Sequence, residues 1–95
     1  MAGWVYIVTN LARGTLYTGV TNALERRAWE HREEIYEGFT KRYGLHRLVW
    51  YETFPTMPEA IHREKRLKKW PRQWKIELVE GFNPEWKDLY ETLNQ

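Results

Sequence analysis

Residues 4–9 (Trp-Val-Tyr-Ile-Val-Thr) are β-branched or aromatic at every position, and residues 15–21 largely repeat that character. Between them Asn10, Leu11, Ala12, Arg13 and Gly14 carry turn residues at both ends. Two β-type runs joined by so short a turn predict an antiparallel hairpin at the start of the chain. The two-residue period of a strand then places Tyr17 and Gly19 on one face of the second run. A glycine inside a strand often marks a place where another group approaches the backbone closely.

Helices and a third strand are expected after the hairpin. Asn22 followed by Glu25 resembles a capping box, predicting a helix over residues 23–35. Its apolar stripe runs through Leu24, Arg27, Ala28, His31 and Ile35, so two polar groups one turn apart interrupt an inward face. Residues 38–44 read as a polar loop with Lys41, Arg42 and Tyr43, and residues 46–53 as a third strand. Pro55 ends that strand, and Pro58 suits the first turn of a second helix over residues 58–69. On it Ala60, Ile61 and Leu67 form the stripe, with Glu64 inside it. Pro71 restarts a short helix over residues 72–79, with Gly81 expected as its C-cap. Residues 83–86 open a last helical or irregular segment. The expected fold class is α/β of the α+β type: one domain over residues 1–95, a small three-stranded antiparallel sheet flanked by helices.

Composition narrows the chemistry. A chain of 95 residues buries only about 60–65% of its unfolded surface and cannot support two independent cores. The absence of Cys excludes disulfides, iron–sulfur clusters and thiolate zinc sites, and His31, His46 and His62 are too scattered for a metal triad. No apolar run approaches the roughly 20 residues of a membrane span, and the Met1 end lacks signal-peptide design, so a soluble cytoplasmic protein is the expectation. The net charge of +2 conceals a segregation. Arg63, Lys65, Arg66, Lys68, Lys69, Arg72 and Lys75 crowd residues 61–75 with Glu64 as the one acid, whereas Glu77, Glu80, Glu85, Asp88 and Glu91 follow against Lys87. Such a stretch can neutralise phosphates, or it can be a solvated helix face.

Singly, the polar groups have ordinary accounts. Tyr6 and Tyr17 can be half-buried sheet tyrosines, and Arg27 and His31 can snorkel or meet a carboxylate. Glu64 can pair with Lys68 one turn on, worth about 0.3–0.5 kcal/mol when exposed. Together they say more. Burying Arg, His and Glu unpaired is costly, so three such groups on inward faces of one small fold imply a common partner.

Val5, Tyr6 and Ile7, the eleven-residue step to Tyr17, Thr18 and Gly19, the run from Thr21 to Arg27 with His31, and the later Glu64 together resemble the GIY-YIG nuclease domain. The likeness covers nearly the whole chain and is strongest to the small stand-alone bacterial branch typified by YhbQ and YazA, near the N-terminal domain of the GIY-YIG excinuclease. Val5 and Ile7 around Tyr6, and Thr18 in place of Ile, depart from the family's name but keep strand-forming residues. The resemblance implies a metal-dependent endonuclease that hydrolyses nucleic-acid phosphodiesters by one-metal water attack, with DNA ahead of RNA and a repair or recombination role. Glu64 would hold one divalent ion, Mg²⁺ or Mn²⁺. Tyr6 would activate the attacking water with His31 orienting its phenol, Arg27 would clamp the phosphoryl oxygens, Tyr17 would donate to phosphate or position the water, and Asn83 would complete the network. Gly19, Lys41, Arg42, Arg63, Lys65, Lys69 and Arg72 would meet the nucleic acid.

A binding module that keeps the pocket without cleaving is the second reading, with Trp29, Trp70 or Trp74 as stacking surfaces against their simpler use as core and cap. A purely structural interaction protein leaves inward Arg27, His31 and Glu64 without a reason. A homodimer or a repair-protein partner stays open.

Overall fold

The computed structural model describes residues 2–35 and 38–93. The hairpin forms where the sequence places it, as β1 (Gly3–Thr9) and β2 (Leu16–Thr21). Its turn is held by side-chain chemistry: Asn10 Oδ1 accepts from the Thr15 N–H at 3.0 Å, and the Thr9 hydroxyl donates to the Leu11 carbonyl. The third strand, β3 (Arg47–Phe54), pairs antiparallel with the other side of β1, giving the order β2-β1-β3. Ile7 faces Trp50 and Val8 faces Leu48, so Val49 is an extra, bulged residue. The expected three-stranded antiparallel sheet with flanking helices is the fold observed.

Because β1 is central, its alternate side chains feed two cores. Val5 and Ile7 pack with Val49, Trp50, Ala60, Leu67, Ile76, Val79 and Trp86. Tyr6 and Val8 pack with Leu24, Ala28, Leu45 and Leu48. Helix α1 (Leu24–Arg32) serves the second core, and α3 (Met57–Lys68) and α4 (Arg72–Phe82) serve the first. Helix α3 starts on a cap that its sequence signals had not marked. Thr56 Oγ1 accepts from the Glu59 N–H, with Pro58 in the first turn, an arrangement worth about 1 kcal/mol. It then lies hard against β1 at Gly3, where an added Cβ would stand 2.7 Å from the Ala60 Cβ. That contact sets the height at which Glu64, one turn beyond Ala60, meets the sheet.

Several local expectations are corrected. The N-cap of α1 is Ala23 rather than Asn22; the Thr21 hydroxyl accepts from the Ala23 N–H. Helix α1 ends at Arg32, Glu34 takes a left-handed φ of 54°, and Ile35 lies beyond the helix, exposed. The segment read as a polar loop contains a one-turn helix, α2 (Phe39–Arg42), anchored by buried Thr40 and Leu45. Ile61 is exposed, so the α3 stripe is Ala60, Glu64 and Leu67. Helix α4 runs through Gly81 to Phe82 and is closed by Asn83, because the buried Ile76 and Val79 hold it to the core past the glycine. The tail then crosses β3 irregularly, with Trp86 buried, and ends in a 3₁₀ turn, Leu89–Thr92.

Candidate active site

The sheet face under α1 carries the two tyrosines. Tyr6 sits in the middle of β1, opposite Gly19 on one side and Tyr51 on the other, and is only 2% exposed. Its hydroxyl lies 3.0 Å from His31 Nε2. Gly19 makes that possible. A Cβ there would come within 2.5 Å of Tyr6 Cζ and 2.9 Å of Cε1, so the space beside this glycine belongs to the Tyr6 ring. Gly19 was expected at the nucleic-acid surface; it is buried and serves the phenol instead.

His31 reaches Tyr6 from α1, with Arg27 one turn before it on the same helix. Burial, reinforced by the positive charge of Arg27 and opposed by Glu30, lowers the His31 imidazole from 6.5 to about 4. It is therefore neutral at pH 7. In the tautomer with its proton on Nδ1, the imidazole accepts the Tyr6 O–H at Nε2. Arg27 is partly exposed and lies 3.5 Å from Glu30 in a long ion pair.

Tyr17 is the more accessible phenol. Its ring is 6.2 Å from that of His31 and 6.3 Å from that of Phe39. Lys68 Nζ stands 5.8 Å from its centroid, and the same ammonium pairs with Glu64 Oε2 at 3.1 Å. The Glu64 side chain is 13% exposed. One lysine thus joins the carboxylate of α3 to the second tyrosine of the hairpin. The carboxylate is held near the sheet rather than turned to bulk solvent. Burial, then the charges of Lys68 and Arg72, hold the Lys75 ammonium below the usual lysine range. Lys68 thus stands between the Glu64 carboxylate and two further cations, Arg72 and Lys75.

Among the described residues the polar groups of α1, α3 and the hairpin lie in a chain of contacts. His31 takes Tyr6, Arg27 takes Glu30 and Glu64 takes Lys68, and the rings of Tyr17 and His31 connect these pairs. Lys68, read in the sequence as part of the basic stretch of residues 61–75, is the cation that the structure sets against Glu64 and Tyr17. Its one-turn step from Glu64 was the signal for that pairing.

Three predicted residues have other work. Asn83 Nδ2 donates to the carbonyl of the bulged Val49 at 3.2 Å and to that of Lys87 at 2.8 Å, while Oδ1 accepts from the Lys87 N–H at 3.1 Å. That amide closes α4 and fastens the tail, which is a structural use of a buried side chain. Arg72 donates to the carbonyls of Arg13 and Gly14, pinning the hairpin turn to α4. Arg63 is 3.1 Å from Glu52 and stacks over Trp70. Lys65 is exposed on α3 and Lys69 at its C-cap, and Lys41 and Arg42 are exposed on α2. Trp29 and Trp74 are exposed rather than core, and Trp70 is half-buried.

The hairpin tyrosines, α1 Arg and His, and α3 Glu all lie within a stretch that matches a known domain. Residues 2–77 match the GIY-YIG catalytic domain, a span that takes in every site residue above except Asn83. The chain belongs to the GIY-YIG family. It is similar to the UPF0213 protein of Staphylococcus saprophyticus, 36% identical over 76 residues covering 80% of this chain and 92% of that one. It is also similar to the UPF0213 protein of Clostridium perfringens, 38% identical over 65 residues covering 68% and 70% of the two chains. The solution NMR structure of the UPF0213 protein from Bacillus halodurans is 34% identical, aligns over 84% of each chain and superposes with a TM-score of 0.52. GIY-YIG is a nuclease family, which places nucleic acid among this chain's partners at that coarse level. Among the described residues no helix is long and apolar enough to cross a membrane.

The donor set limits how a metal could be held. Among the described residues no three His, Cys, Asp or Glu side chains gather as a cage. A single, largely buried carboxylate fits a hydrated hard ion shared with a substrate phosphate, the usual habit of Mg²⁺, and does not fit a preformed all-protein site.

Proposed function

We propose that this protein is a metal-dependent endonuclease hydrolysing DNA phosphodiesters, with Tyr17, Arg27, Lys68 and Glu64 meeting the reacting groups and the Tyr6–His31 pair positioning them. The observation that carries this reading is the Lys68 ammonium between the Glu64 carboxylate and the Tyr17 ring, because it gathers hairpin and α3 chemistry at one accessible place. Glu64 is the residue that would hold a divalent ion, which would supply charge to lower the pKa of a water and offset the developing negative charge. Lys68, 49% exposed at its side chain beside Glu64, is placed to meet a phosphate oxygen.

Arg27, partly exposed beside Glu30, offers a planar fork to two phosphoryl oxygens, a geometry Lys does not provide. Tyr17 donates its O–H to a phosphate oxygen or holds the attacking water. Tyr6 is too enclosed for that task, and His31 near 4 is a weak base, so the pair braces the floor of the site. Water adds to phosphorus, the bond to the 3′ oxygen breaks, and the products carry a 5′-phosphate and a 3′-hydroxyl.

The test is incubation with labelled branched, nicked, single-stranded and duplex DNA, with and without Mg²⁺ or Mn²⁺, beside Glu64→Gln. Metal-dependent cutting that falls at least about 100-fold in the variant, with binding kept, supports the nuclease. Binding without cutting of any substrate under either metal makes the protein a binding module.

A further inference from the structure

The segment between α1 and β3 presents two aromatic rings to solvent. Phe39 and Tyr43 are 50% and 47% exposed, and their centroids are 4.8 Å apart. They are carried by a short turn. Gly38 and Gly44 flank it with φ of 100° and 66°, Thr40 and Leu45 are buried beneath it, and the Leu45 N–H donates to the Thr40 carbonyl at 2.8 Å. Gly38, Phe39, Lys41, Arg42 and Tyr43 line an open cleft of about 650 Å³. The Arg42 guanidinium lies 5.7 Å from the Tyr43 ring. The row continues into the active site, since Phe39 is 6.3 Å from Tyr17.

Exposed rings interleaved with Lys and Arg, and continuous with a phosphate site, have the chemistry of a single-strand platform. Bases stack on the rings while cations meet the backbone. A base within a duplex already has its faces covered by its neighbours, so only an unpaired nucleotide can use such a surface. We infer that the Phe39–Tyr43 turn is a stacking platform for an unpaired nucleotide beside the scissile phosphate, directing the site to single-stranded, flapped or branched nucleic acid. The inference rests on the proposed nuclease reading for its orientation and on the turn itself for its ligand.

The experiment measures binding in EDTA, where cleavage plays no part, using a 12-nucleotide single strand carrying 2-aminopurine and the matching duplex. The parent should bind the single strand with a change in 2-aminopurine emission. Phe39→Leu and Tyr43→Leu, which keep apolar bulk on an exposed turn, should each weaken it roughly 5- to 150-fold, the range for losing one stacked base. Duplex binding should change less than about 2-fold, and melting curves should match the parent, since these rings are outside both cores. Single-strand affinity within about 2-fold of the parent in both variants overturns the platform, even if the protein cuts DNA. Loss of single-strand affinity in a protein that cuts nothing upholds the platform and removes the nuclease.

Discussion

His31 allows a quantitative test of the site's electrostatics. Its imidazole is lowered from 6.5 to about 4, chiefly by burial and next by Arg27. The unfolded chain therefore binds a proton at this residue between those values while the folded chain does not, so stability rises with pH across the window and falls as pH is lowered through it. Relative to pH 8, the group alone should remove about 1 kcal/mol at about pH 5.5 and about 2–3 kcal/mol at about pH 4.5. Urea unfolding followed by tryptophan fluorescence at several pH values measures this, with His31→Gln as reference. Glutamine can still meet the Tyr6 hydroxyl but does not titrate, and carboxylates that protonate in both proteins cancel in the difference. The stability of the parent minus that of the variant should fall along the stated curve. A difference flat to within about 0.3 kcal/mol between pH 8 and 4.5 would refute the reasoning, because it would mean His31 takes up its proton as easily in the folded protein.

Two further perturbations separate packing from chemistry. Gly19→Ala drives a methyl into the Tyr6 ring, which His31 and the core hold in place, and should cost about 1–3 kcal/mol; a thermal melt at the parental temperature would show the ring lies elsewhere. Asn83→Ala strips a bulged strand carbonyl and the tail of their partner, and should cost about 1–3 kcal/mol while the folded molecules cleave at the parental rate; a rate about 100-fold lower at unchanged stability would return Asn83 to the catalytic group.

The sheet was legible because its signals are local. Strand runs of β-branched and aromatic residues, an Asn-to-Gly turn and prolines at element starts act over a few residues, and all three strands fell within a residue of where those signals put them. Helix ends were less legible. Asn22 and Glu25 have the right spacing for a cap, yet the chain enters α1 one residue later, and Gly81 stays helical because Ile76 and Val79 are held by the core. Long-range packing outweighed a local preference of about 1 kcal/mol.

The candidate residues were legible as a set, since Arg, His and Glu on inward stripes conflict with burial whatever the fold. Their use was not. Arg72 and Asn83 each look like a nucleic-acid or site residue in the chain, and each is engaged by main-chain carbonyls from segments distant in sequence. The roles of the two phenols, eleven residues apart and alike in sequence, follow from depth: Gly19 and His31 close over Tyr6, whereas Tyr17 faces Lys68 and Phe39. Sequence by itself determined which chemical groups this protein has and which strands and helices carry them, because both depend on residue type and short-range periodicity. Tertiary structure alone decided which polar groups are satisfied internally and which remain available to a substrate, because hydrogen-bond partners and solvent exposure come from segments that the chain order keeps far apart.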